Sequence, residues 1–316
     1  TNKFRQFLVQ NGDYSWRGGE PQLNAIVEEM FLDNLDIPIH ILDYVGRDEP
    51  NKQWIMGNMI IKDDGKILEP KEDNTIWDST TGYKIDTINV GSVKTSLPHL
   101  SVNNIDATEV IEHINTTWGI SGIKAFLWTI ACFFSNEVMK KEKSFPILFI
   151  YGEKESGKST LSDILMECAG MPSETPASNI CETTQVGLTR VLSYYHSIPA
   201  RFDEYRETDK KTGDKLSLLR SIYNRQGATK GIKEAFGTRQ IEINAPLMII
   251  GEQVPNDSAL LSRTIICQLS LRDKTIESIN SLKWLYKNKG RLSNIAYTII
   301  KKYKDNAKVF VDKIEA

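Results

Sequence analysis

The chain has 316 residues, of which 40% are apolar and 25% charged, with 39 basic against 41 acidic residues and a net charge of −2. Such a length holds a large core, expected here as two domains, and the near-neutral balance excludes a chain-wide basic footprint, so any nucleic acid would have to be met by a local patch. The longest apolar stretch, in Gly122–Phe134, carries Lys124 and is too short to span a bilayer, so no membrane partner is expected. Residues 1–30 mix charges with Gly and Pro and hold no signal-peptide pattern, while the opening Thr suggests an excised fragment or a processed terminus. Cys132, Cys168, Cys181 and Cys267 have neither disulfide nor zinc spacing, and a reducing, cytoplasmic compartment is expected.

In chain order, residues 1–35 read as polar loop followed by a helix, with Leu23, Ile26, Val27, Met30 and Phe31 at helical spacing. From Ile37 the period shortens, and segments 37–46, 53–70 and 74–86 read as short strands separated by turns at Asp64-Gly65 and Thr81-Gly82. Trp54, Trp77 and Tyr83 in this part fit a small core better than a base-stacking surface, and the isolated His40 and His99 suggest no role. A linker near Val90–Asn104 leads to helices over Thr108–Thr117 and Gly122–Lys140. Beyond them strands Ile147–Tyr151, Pro176–Asn179, Ile198–Phe202, Leu247–Ile250 and Thr264–Leu269 alternate with helices Thr160–Ala169, Gln185–Tyr195 and Lys215–Arg225. That alternation predicts a mostly parallel sheet covered on both faces. After Leu271 the chain reads as lysine-rich helix, with Leu282, Leu285, Ile295, Ile299 and Ile300 available to face a partner.

One stretch carries definite chemistry. The apolar run Ile147–Tyr151 passes into Gly152-Glu153-Lys154-Glu155-Ser156-Gly157-Lys158-Ser159-Thr160, a G-x-x-x-x-G-K-S loop between strand and helix. In such a loop the backbone N–H groups and the helix N-terminus surround phosphate, Lys158 reaches the β- and γ-phosphates, and the Ser159 hydroxyl ligates Mg²⁺. ATP and Mg²⁺ are therefore the expected substrate and cofactor. Hydrolysis also needs a carboxylate on the Mg²⁺ shell and another at the attacking water. Asp203-Glu204, after strand Ile198–Phe202, offers both: Asp203 for the metal, Glu204 as the base. An adjacent acidic pair is unlike the D-x-x-G switch of small G proteins. Downstream, Leu260-Leu261-Ser262-Arg263 leads into the last strand. An arginine there suits either plain surface or, in a ring-shaped ATPase, presentation to the neighbouring subunit's γ-phosphate. Finally, 227–243 reads as a hairpin turning near Glu234–Gly237, with Lys230, Lys233 and Arg239 basic and Phe236 near the tip; an ordinary surface hairpin reads the same way.

From about Asp106 onward these residues resemble an AAA+ ATPase of the helicase type. Ser178-Asn179, Thr183–Arg190, Phe202–Tyr205 and Leu260–Arg263 are similar to the MCM and superfamily 3 replicative helicases, and in particular to MCM-like helicases of phage and staphylococcal mobile elements. The resemblance implies an AAA+ P-loop ATPase core over 105–271, a small β-rich N-terminal module over 1–104 and a C-terminal helical lid over 272–316. It further implies a homohexameric ring, nucleotide bound between protomers, Arg263 acting in trans, and a DNA-contacting hairpin at 227–243. It departs from the pattern at the fourth core strand, where Gly251-Glu252-Gln253 stands in place of a sensor asparagine; Glu252 and Gln253 are the alternatives for that role, and Arg291 for a second sensor. The expected function is an ATP-dependent DNA helicase or translocase subunit. A protein remodeller or helicase loader of the same fold, and a nucleotide-gated binding module with little turnover, are the alternatives; DNA-stimulated ATPase activity separates them.

Overall fold

The computed structural model describes residues 16–33, 39–71, 75–79, 81–85, 89–90, 93–172, 177–206, 210–227, 229–231, 238–240, 242–270 and 275–315. Helix α1 (Glu20–Asp33) precedes nine short strands: β1 (Ile39–Leu42), β2 (Val45–Asp48), β3 (Gln53–Met56), β4 (Met59–Lys62), β5 (Ile67–Leu68), β6 (Ile76–Asp78), β7 (Thr81–Ile85), β8 (Asn89–Val90) and β9 (Val93–Lys94). Strands β2 to β5 form an antiparallel meander, and β6 and β7 a hairpin with β1 added parallel to β7. The β-rich N-terminal part is thus present, and Trp54 sits fully buried in it. Trp77 and Tyr83 are likewise engaged within the chain, Trp77 under Lys71 and Tyr83 stacked on His40.

Next come α2 (Ala107–Cys132), α3 (Ser135–Glu142), β10 (Ile147–Gly152), α4 (Lys158–Cys168), β11 (Ser178–Asn179), α5 (Gln185–Tyr194), β12 (Tyr195–His196), β13 (Ala200–Tyr205), α6 (Lys210–Gly213) and α7 (Leu216–Ile222). They are followed by β14 (Thr229–Gly231), β15 (Thr238–Gln240), β16 (Leu247–Gly251), α8 (Ser258–Leu261) and β17 (Thr264–Leu269). The chain closes with α9 (Ile276–Lys287), α10 (Lys289–Leu292), α11 (Asn294–Lys301) and α12 (Tyr303–Glu315). The central sheet has five strands in the order β11-β13-β16-β10-β17, all parallel. This is the α/β P-loop core expected from the alternating pattern. Ile147, Leu148, Phe149 and Ile150 are buried on both faces of β10, which explains its unbroken apolar run. Hydroxyl and carboxylate caps start several of the helices: Asp106 accepts from the Thr108 N–H, Thr184 from Gly187 and Thr275 from Ser278.

Four local expectations change. The helix expected over Gly122–Lys140 stops at Cys132, because Phe133 and Phe134 turn inward; Phe134 stacks on Phe310 at 4.6 Å and on Tyr303 at 5.9 Å. Burying two such rings outweighs the few tenths of a kcal/mol that helix continuation offers per residue. The strand expected over Ile198–Phe202 runs instead from Ala200 to Tyr205, so Asp203-Glu204 lies inside it, at a bulge, rather than after its end. Leu285, Ile295 and Ile300 are buried, and Leu282 and Ile299 pack on the same core, so the partner they face is the chain itself.

Fourth, the helix expected over Gln185–Tyr195 stops at Tyr194, and Tyr195 instead opens a strand that joins the two sheets. Strand β12, from the middle of the P-loop core, pairs in parallel with β2, placing Tyr195 beside Val45 and His196 beside Gly46. Gly46 has φ +101°, and a Cβ there would meet the His196 carbonyl oxygen at 2.0 Å, so only glycine permits the approach. Trp54 completes the join by packing against Phe133 at 5.8 Å and edge-on to Tyr303 at 5.3 Å. Among the described residues no single helix is long and apolar enough to cross a membrane. Helices α2 and α3 pass that test only together, as a pair bent by 83°.

Candidate functional site

The site is built at the C-terminal edge of the parallel sheet, where β10 ends and α4 begins. Gly152 is the last residue of β10, and a Cβ on it would meet the Leu269 carbonyl oxygen of β17 at 2.0 Å. Glu153, Lys154, Glu155 and Ser156 form the loop, with Glu155 at φ +67°, and Gly157 caps α4 at φ +86°. Lys158, Ser159 and Thr160 make the first turn of that helix, whose free N–H groups and positive dipole end favour an anion. Lys158 curls back over the loop, its Nζ donating to the carbonyls of Gly152 and Glu153, both at 2.6 Å. Burial lowers the Lys158 pKa, and the charges of Glu252 and Glu204 oppose that shift.

Sheet register brings the acidic residues to the same edge. Phe202 lies level with Ile249, and Ile249 with Phe149, so Asp203-Glu204 stands two strands from β10, about 10 Å across at the usual strand spacing. Between Phe202 and Tyr205 the pairing with β16 slips by a bulge, and Glu204 takes φ +58°. A bulge re-aims side chains, which here exposes Glu204 while Phe202 and Tyr205 stay in the core. The Cys181 thiol donates to the Glu204 carbonyl at 3.0 Å, and Arg206 donates to the Glu204 carboxylate at 2.7 Å. Arg201 ties the strand to α4 through Ser162, at 3.0 Å, and through Asp163. Glu252 and Gln253 follow β16 directly at the same edge, both exposed. Arg291 lies away from it, hydrogen-bonded to Asn288 and to the Asn104 carbonyl.

Burial, reinforced by the neighbouring Glu204 charge, pushes the Asp203 carboxyl up to about 6, against the pull of Arg201. A carboxyl whose folded value lies above its unfolded one takes up protons in the folded state between about pH 4 and pH 6, so its cost to stability is absent below that window and full above it. Asp203→Asn is therefore expected to raise the melting temperature of the nucleotide-free protein at neutral pH by a few degrees, on the order of 1–2 kcal/mol after discounting for solvent screening. The gain should shrink as the pH is lowered through the window, which thermal melts at several pH values read directly. A gain independent of pH would contradict the assignment.

Phosphate and Mg²⁺ fit what is present. The Ser156 hydroxyl is buried and has no hydrogen-bond partner among the described residues, so the loop holds an unused polar group beside Gly152. Among the described residues no group of three or more His, Cys, Asp or Glu side chains could hold a metal by itself. Mg²⁺ asks for less, typically one or two carboxylates together with substrate phosphates. Next to the loop lies a cavity of about 290 Å³, lined by Trp118, Gly157, Thr160, Leu269, Ile279 and Leu282 among others. Sequence reading missed this wall. Its signal was the Trp118-Gly119 step, where Gly119 (φ 62°, ψ −151°) breaks α2 and leaves Trp118 against the P-loop. The His113 ring packs against Trp284, tilted by 31° with centres 4.3 Å apart, and bonds Ser281, bringing α9 over the same cavity. A larger cavity, about 720 Å³, lies between the N-terminal sheet and α12, but no phosphate-binding loop borders it.

Arg263 is elsewhere. Strand β17 pairs with β10 so that Thr264 lies beside Ile147 and Leu269 beside Gly152. Arg263 therefore stands at the opposite end of the sheet from its own P-loop, roughly 20 Å away along the strands. Its guanidinium donates to the Ala259 carbonyl and lies 5.8 Å from the Tyr223 ring centre. In the hairpin, β14 and β15 pair antiparallel with Lys230 beside Arg239. Lys233 and Phe236 lie outside the described residues.

No protein-family model matches the chain, and no curated protein sequence matches it. Among solved structures it is similar to one described as the active helicase Cch of SCCmec type IV, with 16% identity and a TM-score of 0.55, covering 94% of this chain and 54% of that one. It also matches an inhibitor-bound JCV helicase, at 13% identity and TM-score 0.36 over 63% of this chain and 55% of that one. The apo C-terminal region of NrS-1 matches at 15% identity and TM-score 0.30, over 73% and 58%. At those two TM-scores the likeness supports no argument. The chain thus spans about half the length of the Cch helicase, and across nearly all of its own length its fold is helicase-like.

Proposed function

We propose that the chain is the ATP-hydrolysing, DNA-translocating subunit of a ring, working in the replication of a mobile element. The carrying observation is the convergence of Lys158, Asp203, Glu204 and Glu252 on one edge of the sheet while Arg263 stands at the other. ATP is the substrate, with its phosphates on the Gly152–Thr160 loop and its nucleoside in the cavity beside Trp118. Ser159 and Asp203 hold Mg²⁺, which when bound neutralises charge on the phosphates. Glu204 orients the attacking water and takes its proton, and Glu252 is placed to steady that water. Because Arg263 cannot reach its own phosphates, it completes a neighbour's site, so an active assembly has several copies, hexameric by the resemblance to ring helicases.

Contact with DNA falls to the 227–243 hairpin. Its register sets Lys230 level with Arg239, so two basic residue types fall at one position along the ribbon, as phosphate contact asks. Replacing Lys230 and Lys233 together by Ala is expected to weaken single-stranded DNA binding and leave basal ATP turnover intact. The logarithmic salt slope should flatten by roughly 1.4, about 0.7 for each lost phosphate contact. Titrations at several salt concentrations measure this, and an unchanged slope removes these lysines from the DNA path.

A further inference from the structure

Both ends of the 227–243 segment enter one polar cluster, and that cluster reaches the N-terminal sheet. On the entry side Arg225, held at φ +54°, donates to the Asn136 side-chain oxygen at 2.5 Å and to the Ser135 hydroxyl at 2.6 Å. The Asn136 amide donates to Glu49 at 3.1 Å, just beyond β2. Burial opposes the Glu49 charge, but Arg47, the Asn136 amide and Lys140 together hold its carboxyl below the usual range. Arg47 in turn pairs with Asp63 and lies 4.4 Å above the Tyr303 ring.

On the exit side, the Asn244 carbonyl accepts from the N–H of Ser197, which sits at φ +58°, and the Ser197 hydroxyl accepts from Ser135 at 3.0 Å. The His196 ring lies between Asn244 and β2, with Nε2 3.3 Å from the Asn244 amide and Nδ1 3.3 Å from the Arg47 carbonyl. Nε2 also lies 3.1 Å from the Ser193 carbonyl, so the tautomer with its proton on Nδ1 donates to Arg47 and accepts from Asn244, whereas the other donates to Ser193. The ring also stacks on Tyr44 at 4.3 Å. Left-handed conformations are disfavoured for residues other than glycine, and at Arg225 and Ser197 they persist only where the surroundings over-determine them. Here the surroundings are these shared hydrogen bonds.

We propose that Arg225 and Asn244 are positioning residues fastening the two feet of the β14–β15 ribbon to the N-terminal sheet, through Asn136 and Glu49 on one side and His196 on the other. The N-terminal sheet then sets where the ribbon stands. Under the DNA-contacting role proposed for the ribbon, this makes that sheet part of the translocating machinery, although the fastening itself is testable without DNA.

Native-state trypsin digestion of the full chain, with cleavage mapped by mass, reads the ribbon at Lys230 and Arg239. Asn136→Ala and Glu49→Ala should each speed cleavage there by about tenfold, the scale of one lost charge-assisted hydrogen bond, with cleavage after Lys289 and basal ATP turnover unchanged. Asn136→Asp keeps the acceptor for Arg225 but sets a negative charge against Glu49, and it should be as defective as the alanine variant. Parental cleavage in Asn136→Asp and Glu49→Ala, with faster cleavage only in Arg225→Met, would sever the N-terminal sheet from the ribbon and overturn the proposal. Equal acceleration at all sites, signifying general loosening, would overturn it too. A parallel anisotropy titration with single-stranded DNA keeps the two readings apart: a parental protein that binds no DNA rejects the hairpin's role, while the cleavage pattern still decides the fastening.

Discussion

A Lys158→Ala protein should bind no ATP analogue, whereas Glu204→Gln should bind it at parental affinity and hydrolyse ATP at least about 100-fold more slowly. The difference follows from where each side chain acts. Lys158 lies over the loop carbonyls, poised for phosphate in the ground state, so its loss removes binding. Glu204 sits on the bulge two strands away and faces solvent, where a water can approach. Gln keeps its shape and its hydrogen bond from Arg206 but cannot accept the proton. Equilibrium binding of a fluorescent analogue and steady-state phosphate release separate the two effects. Parental turnover by Glu204→Gln would assign the base to another residue.

Much of this site was legible because its signals are local. A strand, a four-residue loop and a capped helix start are contiguous, and their steric demands, such as the closeness of Gly152 to the Leu269 carbonyl, fall on glycines the sequence displays. The parallel core followed from the alternation of strand and helix patterns, and the buried runs of β10 and β16 agree with it. What stayed hidden is non-local. No period marks Tyr195-His196 as a strand, because the pairing that makes it one comes from β2, some 150 residues earlier. The placement of Asp203-Glu204 inside β13 depends on a bulge against β16, and Trp118 becomes a cavity wall only because α9 folds back over it. In the hairpin, residue types suggested cations, but the partnership of Lys230 with Arg239 is a matter of register.

Arg263→Ala should slow ATP hydrolysis by roughly 10³-fold or more while leaving nucleotide affinity near parental, since such an arginine stabilises charge that develops on the transferring phosphoryl group. The pairing of β17 with β10 rules out action on its own P-loop, because Arg263 precedes the strand at the end remote from Gly152. An arginine merely decorating the start of an edge strand predicts almost no effect. Mixing separates the possibilities further. Arg263→Ala and Lys158→Ala subunits, each inactive alone, should regain ATPase activity together, because an intact P-loop can then sit beside an intact Arg263. Co-assembly without recovered activity would remove the shared site.

The central claim, that hydrolysis at this edge of the sheet is spent on moving DNA, is tested most directly by one measurement: steady-state ATP turnover of the parental chain with and without single-stranded DNA. The account predicts a rise of severalfold or more that saturates with DNA and disappears in Glu204→Gln. Turnover indifferent to DNA, at concentrations where binding is demonstrable, would contradict it.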